Sequence, residues 1–213
     1  MAKISELRRD YAKETLDISS IEKNPILQFE KWFDEALRGK VLEPNGMTLS
    51  TVSDSGRPSA RIVLLKGIEQ GKFLFYTNYH SKKGKELESN PACALTFFWP
   101  ELERQVRIDG TCDRVDVATS EKYFQSRPRE SQVGAWASPQ SSVISDRGLL
   151  EARVIEIEKK FKGQETLPKP YQWGGFAVDP YEIEFWQGRP SRLHDRIVYC
   201  KVDEQWSTRR LAP

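Results

Sequence analysis

Short stretches in which apolar and polar residues alternate dominate the chain from Met47 onward, and turn-forming residues separate them. In the longest stretch, Val106, Ile108 and Cys112 alternate with polar neighbours, as in a strand with one buried face. Asp54-Ser55-Gly56 follows the first stretch and is typical of a hairpin turn. The pattern predicts antiparallel strands over residues 47–53, 59–66, 72–77, 92–99, 104–115, 174–178, 182–187, 196–201 and 205–210.

Helical signals occur at four places, one before the β pattern and three within it. The first helix is predicted to begin at Asn24-Pro25, which supplies an N-cap followed by proline at the first helical position. Gly39 is predicted to end it in the left-handed conformation. Its predicted apolar face consists of Phe29, Trp32, Phe33 and Leu37. The other three helices are predicted over residues 81–89, 119–126 and 145–162.

Together the two patterns predict one domain over residues 24–213. The fold class is mainly β with helices: an antiparallel, closed or partly closed β-barrel with helical decoration. Residues 1–23 are highly charged and have no clear apolar period, which predicts a mobile arm.

Composition excludes several classes of protein. The 213 residues are 38% hydrophobic and 30% charged, as expected for a globular domain with a well-buried core. A formal charge of +2 gives no electrostatic reason to expect a nucleic-acid or membrane partner. The longest aliphatic run, residues 62–65, is far too short to cross a bilayer. Three widely spaced cysteines and two histidines match no metal site, so we expect a reduced, cytoplasmic protein without a metal.

Two segments carry cations in patterns that suit phosphate groups. Arg61 and Lys66 stand at the two ends of an apolar strand, and Lys82 and Lys83 begin the nearby helix. Such a set can bind a phosphate while the strand lies along a flat ring. The alternative is a strand with solvated ends beside a basic helix face.

A second anion site is predicted further along the chain. Tyr123 and Arg127 are four residues apart and share a helical face, and Ser131 follows in a predicted loop. The alternative is a basic helix end that complements the macrodipole. The next segment, residues 134–142, reads as a polar loop that contains a tryptophan.

The segment from residue 185 to residue 196 concentrates groups that are typical of a functional site. It contains Trp186, His194 and Asp195 together with three arginines. A structural histidine usually lies alone on an apolar face, whereas His194 is flanked by Arg192 and Asp195. This composition favours a functional role for the segment.

These motifs, in the order in which they occur along the chain, resemble those of the pyridoxine (pyridoxamine) 5′-phosphate oxidase family. The resemblance covers essentially the chain from Asn24 to its end, and residues 7–11 resemble the family's N-terminal substrate-contacting stretch. Lys82 departs from the family by replacing an arginine that many members carry. The matching motifs are residues 61–66, 75–78, 103–106, 123–124, 126–129, 134–136, 140–142, 185–188, 192–196 and 210–213.

The resemblance implies an FMN-binding split β-barrel that forms a homodimer with FMN at the subunit interface. The residues implied to hold FMN are Arg61, Ile62, Val63, Leu64, Leu65, Lys66, Tyr76, Thr77, Lys82, Lys83, Gln105, Gln140, Ser141, Trp186 and Arg196. The substrate phosphate is implied to contact Lys66, Tyr123, Arg127 and Ser131. The pyridine ring is implied to contact Arg192, Leu193 and His194, with Arg8, Arg9, Asp10 and Tyr11 closing over it.

The implied activity is oxidation of pyridoxine 5′-phosphate and pyridoxamine 5′-phosphate by O2 to pyridoxal 5′-phosphate. Arg192 and His194 are the candidates for a catalytic role, and positioning is the contribution expected of them. Three alternatives remain open: a flavin-dependent split-barrel oxidoreductase with another substrate, a non-catalytic flavin or pyridoxal-phosphate carrier, and a nucleic-acid-binding barrel. Only the run Lys82-Lys83-Gly84-Lys85 favours the last, and a solvated helix face explains that run more simply.

Overall fold

The computed structural model describes residues 10–213, and over this range it contains nine strands and five α-helices. The strands are β1 (Gly46–Val52), β2 (Pro58–Leu64), β3 (Gly67–Glu69), β4 (Lys72–Asn78), β5 (Ala92–Trp99), β6 (Arg104–Arg114), β7 (Trp173–Gln187), β8 (Asp195–Val202) and β9 (Gln205–Leu211). The helices are α1 (Pro25–Arg38), α2 (Lys82–Ser89), α3 (Val117–Ser126), α4 (Arg129–Ala137) and α5 (Arg147–Lys160). No helix in this range is long and apolar enough to cross a membrane.

The strands form one antiparallel sheet that divides at β7. Its main order is β2-β1-β5-β6-β7-β4-β3, and β8 and β9 continue from β7 on a separate branch. Along most of its length β7 pairs with β6 on one side. On the other side residues 173–178 pair with β4 and residues 182–187 pair with β8. This arrangement confirms the predicted antiparallel, partly closed barrel with helices.

Helix α1 packs its aromatic residues against the interior of the sheet. Asn24 caps it by accepting the Ile26 N–H, as predicted. The Phe29 ring centroid lies 5.0 Å from those of Phe73 and Phe97, and these rings are buried. Burial of such large apolar side chains is the main contribution of α1 to stability.

Two details of the α1 prediction are wrong. Leu37 is 52% exposed, because at 100° per residue it lies 80° around the helix from Phe29, beyond Phe33. Ala36, 20° from Phe29 on the other side, takes the buried position. Gly39 ends α1 in the right-handed region, and Lys40 has the positive φ, 53°.

Two predicted strands, residues 174–178 and 182–187, are one strand in the structure. Proline is unfavourable inside a strand, since it cannot donate to a ladder. Nevertheless β7 continues through Pro180, which lies opposite Gly110, and the register of β6 against β7 shifts between Asp109 and Gly110. This irregularity accommodates the proline without ending the strand.

Helix α4 is absent from the sequence prediction, which assigned its residues to loops. Its sequence is mostly polar or small, and only Gln132, Val133 and Ala137 are buried. Ser131 therefore lies in the first turn of a helix rather than in a loop. Strand β3 was also not predicted.

Residues 10–23, the described part of the predicted arm, lie against the barrel. Leu16 is buried in the core, and its N–H donates to Asp195 Oδ2. The Tyr199 hydroxyl donates to the carbonyl of Glu22 at 2.6 Å. The mobility of the arm stays a prediction, and Arg8 and Arg9 lie outside the described residues.

Gly110 is a point of close approach between β6 and β7, and it gives a test of this packing. A Cβ on Gly110 would lie 2.5 Å from the Asp179 carbonyl oxygen and 2.8 Å from Val178 Cγ1. We expect Gly110→Ala to lower the free energy of unfolding by about 1–3 kcal/mol. Gly67→Ala is the control, because its Cβ would meet no heavy atom within 4 Å. Equal denaturation midpoints for the two variants would contradict this assignment.

Candidate functional site

One cavity of about 640 Å³ brings together most of the two predicted anion sites. Its walls come from β2, β4, α2, α3, α4, the start of β7 and the adjoining loops. From the predicted cofactor set it contains Arg61, Ile62, Val63, Leu64, Lys66, Tyr76, Thr77, Lys83 and Gln140. From the predicted phosphate set it contains Tyr123, Arg127 and Ser131, in addition to Lys66. Sequence reasoning did not assign the remaining lining residues, which are Asn78, Pro128, Gly134, Ala135, Ser138 and Trp173.

Lys83 projects into this cavity from the first turn of α2. Its Nζ lies 3.4 Å from Thr77 Oγ1 and from Gln140 Oε1, and 3.5 Å from Ser81 Oγ. Burial lowers the pKa of Lys83, and the nearby charge of Arg61 lowers it further. A half-buried ammonium whose hydrogen bonds to the described residues are long and go to neutral groups favours a bound anion.

Gly84 sets the distance between α2 and the end of β4. A Cβ on Gly84 would lie 2.2 Å from the carbonyl oxygen of Tyr79, so only glycine permits this approach. Ser81 caps the helix by accepting the Gly84 N–H. The N-terminal turn of α2, with Lys83 on it, is therefore held close to Thr77.

Arg61 is oriented by a buried carboxylate that sequence reasoning missed. Glu86 is 6% exposed and accepts hydrogen bonds from Thr51, Ser59 and the Arg61 guanidinium. Burial alone would raise the pKa of Glu86, but the hydrogen bonds and the charge of Arg61 outweigh it and lower the pKa. The only sequence signal was the i,i+4 spacing to Lys82, whose Nζ lies 3.8 Å from Glu86. Lys82 does not line the cavity, and its proposed contact with FMN stays a prediction.

Arg127 carries a buried hydrogen-bond donor in the same cavity. Among the described residues nothing accepts a hydrogen bond from its Nη1, although this atom is buried. Burial lowers the pKa of Arg127, and its guanidinium carbon lies 4.9 Å from the centre of the Trp173 ring. A desolvated donor without an acceptor is costly, so this position favours an anionic ligand.

Three aromatic rings stack beside Arg127. The Tyr76 centroid lies 3.9 Å from that of Tyr123 and 5.5 Å from that of Trp173, with interplanar angles of 21° and 12°. Burial, with a smaller effect from Glu69, raises the pKa of Tyr76 to about 12. Burial also raises the pKa of Tyr123. Both phenols are therefore neutral hydrogen-bond donors at neutral pH.

A second group of predicted site residues lies around Trp186, near the other end of β7. The Trp186 and His194 rings are 4.5 Å apart, and Tyr11 of the arm lies 5.8 Å and 6.0 Å from them. We call these three rings the Trp186 cluster. Gln105 and Arg196 lie opposite Trp186 on the strands at either side.

The surroundings of His194 favour the neutral form of its imidazole ring. Its Nδ1 accepts the N–H of Arg189 at 3.1 Å, which leaves the ring proton on Nε2. Burial and the charge of Arg192 both lower the pKa of His194. Arg192 itself has a positive φ of 63° in the turn before β8. His194 is therefore better suited to donate a hydrogen bond from Nε2 than to carry charge.

Arg196 is held by a second acidic residue that sequence reasoning missed. Glu184 is 4% exposed and accepts from Arg196 Nε at 2.7 Å and from Arg196 Nη2 at 3.0 Å. Arg107 lies 3.3 Å from the same carboxylate, and Arg196 also donates to the carbonyl of Ala212. Cross-strand pairing creates this network, so no local motif could have indicated it.

The cavity and the Trp186 cluster are far apart in one chain. Tyr76 pairs with Gly175, and Trp186 lies eleven residues further along β7, which is about 35 Å at about 3.3 Å per residue. The predicted cofactor residues therefore form two separate groups.

Besides Lys82, four described residues of the predicted sites belong to neither group. Leu65 is buried in the core, and Ser141 follows Gln140 with a φ of 69°. Leu193 and Asp10 are exposed. Their contacts with ligands stay predictions.

Comparison with known proteins identifies the family. The family model for pyridoxamine 5′-phosphate oxidase matches residues 33–161. The family model for the pyridoxine 5′-phosphate oxidase C-terminal dimerisation region matches residues 173–213. Proteins named pyridoxine/pyridoxamine 5′-phosphate oxidase from Acaryochloris marina and Leptospira interrogans are 53% and 55% identical to the chain. Each alignment covers 99% of this chain, and they cover 95% and 99% of the relatives.

Solved structures agree with this assignment. The crystal structure of PhzG from Burkholderia lata, in complex with tetrahydrophenazine-1-carboxylic acid, superposes with a TM-score of 0.88 at 27% identity, covering 95% of this chain and 100% of that one. A pyridoxamine 5′-phosphate oxidase-related, FMN binding protein from Nostoc punctiforme shares the fold, with a TM-score of 0.71 at 18% identity over 87% of this chain and 97% of that one. The chain belongs to the pyridoxine/pyridoxamine 5′-phosphate oxidase family.

Proposed function

We propose that this protein uses FMN and O2 to oxidise pyridoxine 5′-phosphate and pyridoxamine 5′-phosphate to pyridoxal 5′-phosphate. One observation carries the proposal: the desolvated cations Lys83 and Arg127 line the same cavity as the stacked rings of Tyr76, Tyr123 and Trp173. Two phosphates and a flat aromatic substrate match these groups in charge and shape. The names of the relatives support the same reaction. The three reduced cysteines support a cytoplasmic location as part of this proposal.

The residues of the cavity fit FMN. The ammonium of Lys83, which makes only long hydrogen bonds to the described residues, and the hydroxyl of Thr77 are suited to its phosphate, and Arg61 adds a cation that Glu86 holds in place. Strand β2 supplies backbone along the ring. The chemistry that FMN supplies is two-electron oxidation at C4′ of the substrate, with O2 as the final acceptor and hydrogen peroxide as the by-product.

The substrate phosphate is assigned to the other cations of the cavity. Arg127 Nη1 is the buried donor without an acceptor among the described residues, and the neutral hydroxyl of Tyr123 is near it. Ser131, in the first turn of α4, adds a hydroxyl where the helix dipole also favours negative charge. Lys66 completes this set. Binding there fixes the substrate's position relative to the cofactor.

A homodimer supplies the rest of the site in this proposal. Residues 173–213, which match the family's C-terminal dimerisation region, include the strands that carry Trp186 and Arg196. One chain cannot bring its own Trp186 to its own cavity, because the two are about 35 Å apart along β7. A second copy can place Gln105, Trp186, Arg192, His194 and Arg196 against the first copy's cavity. FMN then lies at the subunit interface.

In this arrangement Arg192 and His194 orient the pyridine ring. His194 offers an Nε2–H donor from a neutral ring, and Arg192 offers a permanent cation to an anionic oxygen of the substrate. Neither group is a strong base at neutral pH. Their contribution is to hold the substrate in the reactive orientation.

Bound flavin is the first expected outcome. Protein purified without added cofactor is expected to release FMN on denaturation, because the cavity has one compact set of phosphate-binding groups and the sequence has no dinucleotide fingerprint. Absorbance spectra and chromatography of the released flavin test this. Recovery of FAD, or of no flavin even after reconstitution, would contradict it.

Mutations are expected to distinguish the site for the substrate phosphate from the site for the FMN phosphate. Arg127→Ala should raise the KM for pyridoxine 5′-phosphate by roughly ten- to a hundredfold, from the loss of a charge-assisted hydrogen bond. The same substitution should also reduce the preference of the enzyme for pyridoxine 5′-phosphate over free pyridoxine. Lys83→Ala should weaken FMN retention and leave KM at saturating FMN nearly unchanged.

Steady-state oxygen uptake and flavin titration measure both effects. Glu130→Ala is a suitable control, because Glu130 is exposed on the same helix as Ser131 and does not line the cavity. If Arg127→Ala loses flavin and keeps its KM, the two assignments are reversed. Oxygen uptake by the wild-type protein with pyridoxine 5′-phosphate tests the proposed reaction itself.

A further inference from the structure

Glu103 connects the N-terminal arm to the barrel through a buried carboxylate. It precedes β6, is 3% exposed and has a positive φ of 57°. Its Oε2 accepts the backbone N–H groups of Ala12 at 2.9 Å and of Lys13 at 3.1 Å. One oxygen therefore fixes two successive peptide groups that lie about ninety residues away in sequence.

The backbone of Glu103 fixes the end of β7 at the same time. Its carbonyl accepts the Gly188 N–H at 2.7 Å and the side-chain amide of Gln187 at 3.3 Å. A left-handed backbone is unusual for a residue with a side chain, and here it lets the carbonyl and the carboxylate serve different segments. Glu103 thus joins the arm to the residues that follow Trp186.

The peptide groups held by Glu103 come directly after Tyr11. Tyr11 contributes the third ring of the Trp186 cluster, edge-on to Trp186 and to His194. A Cβ on Gly188 would lie 2.7 Å from Cγ and 2.8 Å from Cβ of Tyr11. The missing side chain at position 188 therefore makes the space in which Tyr11 lies.

We propose that Glu103 is a positioning residue that sets substrate affinity by holding Tyr11 against Trp186 and His194. The inference rests on the proposed function, in which these rings surround the pyridine ring of the substrate. Glu103 acts through the backbone of Ala12 and Lys13. A flexible arm would lose conformational entropy on each binding event, and a pre-ordered Tyr11 removes that cost.

The effect of Glu103 is local, because other contacts hold the arm further along. The Leu16 N–H donates to Asp195, and Arg189 donates to the carbonyl of Glu14. Loss of the Glu103 carboxylate should therefore release residues 10–13 and leave Leu16 in the core. None of the described arm residues lines the phosphate-binding cavity, so the cations of that cavity should be unaffected.

Two substitutions at Glu103 and one matched control test the proposal in the FMN-loaded dimer. Glu103→Ala removes the acceptor, whereas Glu103→Gln keeps a neutral one. Glu101→Gln is the control, because Glu101 is exposed and its contact with the described part of the arm, residues 10–23, is through its backbone carbonyl. The readouts are hydrogen exchange of the Ala12 and Lys13 amides, the KM for pyridoxine 5′-phosphate, kcat and the dissociation constant of FMN.

For Glu103→Ala we expect the two amides to exchange at least about tenfold faster and KM to rise about tenfold. FMN affinity should stay within about twofold of the wild-type value. Glu103→Gln should fall between Glu103→Ala and the wild type, and Glu101→Gln should match the wild type. Wild-type exchange in both Glu103 variants, or faster exchange with an unchanged KM, would overturn the proposal.

Gly188→Ala gives an independent test if Glu103→Ala does not fold. It crowds Tyr11 and keeps the carboxylate, so KM should rise while the Ala12 and Lys13 amides stay protected. An unchanged KM in Gly188→Ala would contradict the role of Tyr11. If the wild-type protein consumes no oxygen with pyridoxine 5′-phosphate, the proposed function fails and the affinity claim fails with it. The exchange measurement then still shows whether Glu103 orders residues 12 and 13.

Discussion

The pairing of β7 separates the two parts of the candidate site. One side of this strand stays with β6, and the other side changes partner from β4 to β8 near Pro180. The first half consequently supports the cavity, with Trp173 stacked on Tyr76. The second half supports Trp186 and, through β8, Arg196. One continuous strand thus holds the two groups of candidate residues apart, and in the proposed homodimer the two groups meet.

Desolvated positive charge is the second physical property on which the candidate site depends. Lys83 and Arg127 both have pKa values lowered by burial, which means that the folded chain holds these cations at a cost. Around Trp186 the situation differs, since Glu184 neutralises Arg196 and His194 is neutral. The cavity therefore attracts anions, whereas the Trp186 cluster offers oriented donors and flat surfaces. These properties suit the phosphates and the rings, respectively, of a cofactor and its substrate.

Much of this could be predicted from sequence, and the failures have physical reasons. The cap at Asn24 and the strand alternation depend on local chemistry, so their predictions are confirmed. The continuity of β7 through Pro180 depends on a register shift in the neighbouring strand, which no local pattern shows.

The acidic residues were missed for a related reason. Glu86, Glu103 and Glu184 act by accepting hydrogen bonds from distant segments. Glu86 and Glu184 belong to no motif, and the motif that contains Glu103 gave no role for its side chain. The cations that Glu86 and Glu184 orient, Arg61 and Arg196, were predicted because they belong to motifs. The ligand contacts of the individual site residues stay predictions.

Subunit complementation tests most directly whether each site is built from residues of both subunits. Arg127→Ala impairs the cavity and Arg192→Ala impairs the segment beside the Trp186 cluster, so either homodimer alone should have low kcat/KM. In hybrids with one subunit of each kind, one of the two sites receives both native residues. Random mixing in equal amounts should then restore about one quarter of wild-type activity, because half of the dimers are hybrids. Activity that stays at the level of the parent homodimers, with hybrids present, would show that both residues act within one chain.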